Sequence, residues 1–143
     1  MNRLVRRWGT VMLALALCAG CSDGEPLDPG LEPGEKGARQ TVQALLRGLA
    51  DGDPGRVCSL LTAEAQRSLE AATGTSSCLT GVEQLGQPQE GLEASVGDVV
   101  LSGETVADVV TGLRGAAADA LGATDGSLHL TLVEGRWMVT QPG

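Results

Sequence analysis

The stretch Val96-Gly97-Asp98-Val99-Val100-Leu101-Ser102-Gly103-Glu104-Thr105-Val106-Ala107-Asp108-Val109-Val110-Thr111 decides the fold class. Two runs rich in valine, with apolar and polar residues alternating, flank a short polar segment containing glycine. That is the pattern of a β-hairpin, because side chains on a strand point alternately to opposite faces. Beyond a Gly- and Ala-rich interruption from Gly112 to Gly126, where Ala116 to Leu121 suit a turn or two of helix, the period of two returns. Leu128, Leu130 and Leu132 alternate with His129, Thr131 and Val133. Glu134-Gly135 is a tight turn and Arg136-Trp137-Met138-Val139-Thr140 a last strand.

Upstream of Pro88 the period is helical. Ala38, Val42, Leu45, Leu46 and Leu49 recur at spacings of three and four, which gives one apolar helix face beginning near Glu35. Asp51-Gly52-Asp53-Pro54 ends that helix, and Pro54 suits the first position of the next. Val57, Cys58, Leu60 and Leu61 read as a short apolar helix, Thr62 as the cap of a third running through Leu69, and Cys78, Leu79, Val82 and Leu85 as a fourth. Helices first and strands afterwards predict an α+β domain, with N-terminal helices packed on a curved antiparallel sheet of about four strands. This single domain is expected to span residues 35–143.

The N-terminus has a separate logic. Arg3, Arg6 and Arg7 precede an apolar run through Leu17, and Cys18-Ala19-Gly20-Cys21-Ser22 follows. A positive segment, a short apolar segment and small residues form an export signal. A membrane-spanning helix needs about 20 apolar residues, more than this run supplies. Ala19-Gly20-Cys21 resembles a bacterial lipobox, with Cys18 where leucine is usual. The resemblance implies a signal peptide over residues 1–20, lipid on Cys21, and a domain held on the outer face of the cell membrane. Ordinary signal-peptidase cleavage would instead leave a secreted domain. Residues 21–34, rich in Pro, Gly and acids, are expected to form a flexible tether.

All 18 acidic residues follow Cys21, whereas three of the ten basic ones precede it. Removal of the signal therefore leaves seven basic residues and a net charge of −11 with His129 neutral. That balance argues against nucleic acid, whose phosphates require clustered Lys and Arg, and against adhesion to anionic lipid. Tyr and Phe are absent, and Trp137 is the sole aromatic residue beyond the signal. With Cys18 cleaved off and Cys21 lipidated, Cys58 and Cys78 remain, an even pair suited to a disulfide in an oxidising compartment. They are too far apart for a CxxC motif, and one histidine does not complete a metal site with them. No metal or other cofactor is implied.

The long helix ending in Leu49-Ala50-Asp51-Gly52-Asp53, the short Cys-containing helix with Leu60-Leu61-Thr62, the second Cys and the strand Arg136-Trp137-Met138-Val139 follow one another in a familiar order. Over about Glu35 to Gln141 the chain resembles small exported lipoproteins of the nuclear transport factor two-like superfamily. The resemblance implies a cone-like fold, shared with ketosteroid isomerase, whose helices fill the concave face of the sheet and leave a pocket at the wide end. A Cys pair joining the helical segments is frequent in such lipoproteins, and Cys58 and Cys78 match it. The isomerase chemistry of that fold uses an Asp base with a Tyr-containing oxyanion hole, and this chain has no Tyr.

Asp98, Asp108, His129 and Trp137 are the candidates for lining a pocket. With Ser102-Gly103-Glu104 as the hairpin loop, Asp98 stands opposite Asp108; a shift of one residue puts them on opposite faces. His129 falls on the polar side of its strand, and Trp137 is expected to point inward, against the Leu45–Leu49 helix face or at the mouth of the cone. The reading that follows is a non-catalytic module binding a partner protein or a small apolar ligand. The alternatives are a hydrolase or isomerase using Asp98, Asp108 or His129, or a domain that regulates a neighbouring membrane protein.

Overall fold

A computed structural model describes residues 28–86 and 95–142. Cys21, the signal segment and the first part of the expected tether lie outside these residues. Four helices come first: α1 (Gly34–Asp51), α2 (Pro54–Ser59), α3 (Ala63–Thr73) and α4 (Cys78–Gln84). They are followed by β1 (Val99–Leu101), β2 (Val106–Val110), α5 (Ala116–Ala120), β3 (Ser127–Val133) and β4 (Arg136–Thr140). The strands form one four-stranded antiparallel sheet in the order β1-β2-β3-β4. The domain is α+β.

Local chemistry accounts for the helix limits. Gly52 closes α1 in the left-handed conformation, φ 65°, returning its N–H to the carbonyls of Gly48 and Leu49. The Asp53 side chain accepts from the Arg56 N–H at the start of α2, Thr62 from Ala65 at the start of α3, and Ser77 from Thr80 at the start of α4. Helix α3 runs one turn beyond Leu69, to Thr73, where the Gly74 cap ends it. Ser77, which reads as a loop residue in the sequence, is thus a cap.

Helix α1 lies across the inner face of the sheet. Its Ala38, Val42, Leu45 and Leu46 are fully buried, as are Ala107, Val109, Leu128, Leu130, Trp137 and Val139 of the sheet. Trp137 is inward and meets α1 at Thr41 and Gly37, one and two turns before Leu45. The Thr41 hydroxyl donates to the Trp137 carbonyl at 2.9 Å. At Gly37, a Cβ would stand 2.7 Å from Trp137 Cδ1 and 1.7 Å from the Glu32 carbonyl oxygen, so only glycine admits this approach. The indole Nε1 is buried with no hydrogen-bond partner among the described residues.

The free edge of β4 is covered. Leu61 forms a parallel bridge with Val139, where the Val139 N–H donates to Leu60 and the Thr62 N–H to the Val139 carbonyl. Further along, the Trp137 N–H donates to the Gly30 carbonyl at 2.9 Å. Gly30 is buried, with φ 89°, and Asp28 is 3.2 Å from Arg136. Within the segment expected to be a tether, Asp28 and Gly30 thus contact β4. Pairing protects this strand edge from foreign strands.

Cys58 of α2 and Cys78 of α4 form a disulfide, with Cα atoms 6.0 Å apart. The helices carrying them are too short to be stable alone. In the chain-entropy model, closing a loop of this length contributes about 3 kcal/mol. The Cys58→Ser, Cys78→Ser double variant should lose about that much stability in urea titration while keeping its circular dichroism shape. Trp137→Ala should lose about 3–5 kcal/mol, as expected for a large side chain at full burial. Loss of less than about 1 kcal/mol in the same titration would show that Trp137 is not central to the core.

Candidate functional site

The sequence candidates are divided between the two faces of the sheet. Trp137 belongs to the inner layer. Asp108 and His129 lie on the outer face, where their neighbours Val106 and Val110 are exposed. The β2–β3 register pairs Asp108 directly with His129. Direct cross-strand partners have Cβ atoms about 5 Å apart, within reach of a hydrogen bond between short polar side chains. The bond forms between His129 Nδ1 and Asp108 Oδ1. When Nδ1 carries the proton it donates to the carboxylate.

The β1–β2 register differs from the one expected with Ser102-Gly103-Glu104 as the loop. Leu101 pairs with Ala107 and Val100 with Asp108. The Ser102 N–H donates to the Val106 carbonyl, so the loop is Gly103-Glu104-Thr105, displaced by one residue along the chain. Asp98 therefore faces Val110, whose N–H donates to the Asp98 carbonyl while the Gly97 N–H donates to Val110. The shift is two residues. Because side chains repeat every two residues, Asp98 and Asp108 stay on the same face but sit diagonally rather than opposite. Direct opposition of two carboxylates is thereby avoided.

Asp125 completes the group. Its Oδ2 is 3.8 Å from His129 Nε2, and its Oδ1 accepts the Ser127 N–H at 3.0 Å. Sequence reasoning missed this residue because it sits in the turn before β3. Its separation of four from His129 gives no contact in an extended strand; the turn at Asp125-Gly126 brings it back. His129 is thus flanked by carboxylates on both ring nitrogens.

A serine or cysteine hydrolase places its hydroxyl or thiol at the second ring nitrogen of such an Asp–His couple. Here the group at Nε2 is the Asp125 carboxylate, and no Ser, Thr or Cys among the described residues is bonded to the ring. Among the described residues, no cluster of three or more His, Cys, Asp and Glu has the geometry to hold a metal ion. Two open clefts lie elsewhere. One of about 340 Å³ runs between α3, α4 and α5, lined by Ala72, Thr73, Gln84, Leu85, Ala116, Asp119 and Ala120. Another of about 360 Å³ borders α5 near Thr111, Arg114 and Thr124. Asp98, Asp108, His129 and Trp137 line neither.

Compared with known proteins, the chain matches no family model, no curated protein and no solved structure. No helix among the described residues is long and apolar enough to cross a membrane.

The His129 side chain is 21% exposed and that of Asp108 38%, so solvent screens much of their attraction. Asp108→Ala or His129→Ala should each change stability by no more than about 1 kcal/mol. Urea midpoints of the two variants and their combination test this. A loss of several kcal/mol for either single variant would mean that the couple is part of the folding core.

Proposed function

We propose that the chain is a lipid-anchored module outside the cytoplasm that works by binding, and that its domain is a cone-like relative of the nuclear transport factor two-like superfamily. The element order supports the fold: helices first, α1 packed against β4, β1 and β2, and an antiparallel sheet after it. Export is supported by the N-terminal arginines, the apolar run and the small residues before Cys21. The Cys58–Cys78 disulfide is consistent with an oxidising compartment.

The observation that carries the binding role is the division of the sheet. Its inner side is filled by Val109, Leu128, Leu130, Trp137 and Val139 against α1, whereas Asp98, Asp108 and His129 are on the side turned to solvent. A reaction centre gains its electrostatic strength from exclusion of water, which an open sheet face does not supply. The alternative reading, a hydrolase or isomerase, draws on the Asp108–His129 hydrogen bond.

Anchoring needs no apolar patch on the domain. Two or more acyl chains on one cysteine suffice for stable attachment. Cys21 and Asp28 are seven residues apart, so the chain between them spans at most about 25 Å. A domain so tethered works close to the bilayer, with its acidic surface repelled from anionic head groups.

Cys21→Ser should release the protein from the membrane fraction or leave an unprocessed precursor. Mass spectrometry of the wild-type protein should find a lipid-modified N-terminal Cys21. A mature chain beginning at Ser22, or at an unmodified Cys21, would overturn the anchoring.

A further inference from the structure

The outer face of the sheet carries apolar side chains in solvent: Val100 is 56% exposed, Val110 44% and Val106 41%. The register arranges them around one residue. Val100 is directly opposite Asp108, and Val106 and Val110 stand two residues to either side of it on β2. His129 closes the ring from β3. Asp108 uses Oδ1 for His129 and has no other partner among the described residues. A sheet ordinarily covers its apolar face with another layer; among the described residues α1 packs on the inner face, and Val100, Val106 and Val110 on the outer face are exposed.

Charge distinguishes among possible occupants. Asp108 lies at the centre of this face, Asp98 and Asp125 toward one end, and Glu104 and Glu134 are exposed in the turns at the other. Among the described residues, Arg136 on this side is paired with Asp28. A second copy of the chain would set acid against acid, whereas a basic partner would meet complementary charge. A carboxylate ringed by exposed valines has the layout of an interface hot spot, in which apolar neighbours exclude water from one charged contact.

We propose that this face docks an amphipathic helix of another protein, with an apolar stripe resting on Val100, Val106 and Val110 and flanking Lys or Arg directed at Asp108 and its neighbouring acids. This inference rests on the binding-module reading and names the partner's chemistry and the surface that receives it.

The test uses the full chain carrying Cys21→Ser, so that no lipid competes for the probe. Two synthetic helical peptides are titrated into it: one with a leucine stripe flanked by lysines, one with glutamates replacing the lysines. The lysine peptide should shift the methyl resonances of Val100, Val106 and Val110, and the glutamate peptide should leave them unmoved. Val106→Ser with Val110→Ser should weaken binding about tenfold or more, and Asp108→Asn should weaken it and reduce its salt dependence. Both sites are exposed, and an unchanged amide spectrum elsewhere would show the variants folded.

Equal binding of the valine variant would show attraction to charge alone and overturn the proposal. So would shifts confined to the helices or clefts, or a dimer in sedimentation that dissociates in the valine variant, which would assign the face to a second copy. None of these outcomes touches lipidation of Cys21. A peptide bound at another surface would leave the binding reading standing while removing this face from it.

Discussion

The seating of Trp137 between β4, α1 and the chain entering from Asp28 is the contact on which the rest of the structure depends. One residue is held from several directions. Its carbonyl accepts from Thr41 on α1, its N–H donates to Gly30, and its ring edge lies against Gly37. Phe and Tyr are absent and the other tryptophan, Trp8, precedes the described residues, so among these no other side chain supplies comparable apolar area in one piece. The surrounding Leu, Val and Ala side chains are smaller, so the core depends on close approach of the backbones. Gly37 makes that approach possible by having no Cβ. A buried indole N–H with no partner among the described residues represents a cost of about 1–3 kcal/mol, which the buried ring area offsets.

From that contact the layout of the faces follows. Once Trp137 and Val139 point inward, alternation turns Arg136, Met138 and Thr140 outward, and pairing transmits the same parity across β3 and β2 to β1. His129 and Asp108 come together on the outer side because each lies one position from buried residues of its strand, Leu128 and Leu130 for His129 and Ala107 and Val109 for Asp108, and the register sets them opposite each other. Helices α2 and α4, too short to persist alone, are joined by the disulfide and hold Leu60, Leu61 and Thr62 against the edge of β4. The described residues thus close one sheet edge and leave Val100, Val106 and Val110 of the outer face exposed.

That open face separates the physical demands on the two sides of the sheet. Inward, Leu128, Leu130 and Val109 are constrained by packing, where loss of a few methylenes is felt. Outward, Val100, Val106 and Val110 surround a carboxylate–imidazole couple in contact with water. Single exposed apolar residues are common on any protein surface; here three converge on one charged residue in adjacent strands. The short lead from Cys21 to Asp28 and the covered edge at Gly30 also limit how far the domain can travel from its proposed anchor.

Periodicity by itself determined the α+β class, the helices from α1 to α4, the last two strands and the inward facing of Trp137, because burial of one face demands a repeat of 3.6 or of two. The pairing of Cys58 with Cys78 was expected once Cys18 and Cys21 were assigned to the N-terminal signal, and the structure joins the two. Register and long-range contact were decided only by the tertiary structure. The run from Val96 to Thr111 is compatible with several hairpin loops, and packing across the sheet selects the one that sets Val100, not Asp98, opposite Asp108. The fastening of Gly30 to Trp137 was hidden in a Pro- and Gly-rich segment that reads as tether, since a single backbone hydrogen bond leaves no periodic trace. Asp125 reached His129 through a turn, and its role depended on three-dimensional closure that spacing along the chain does not encode.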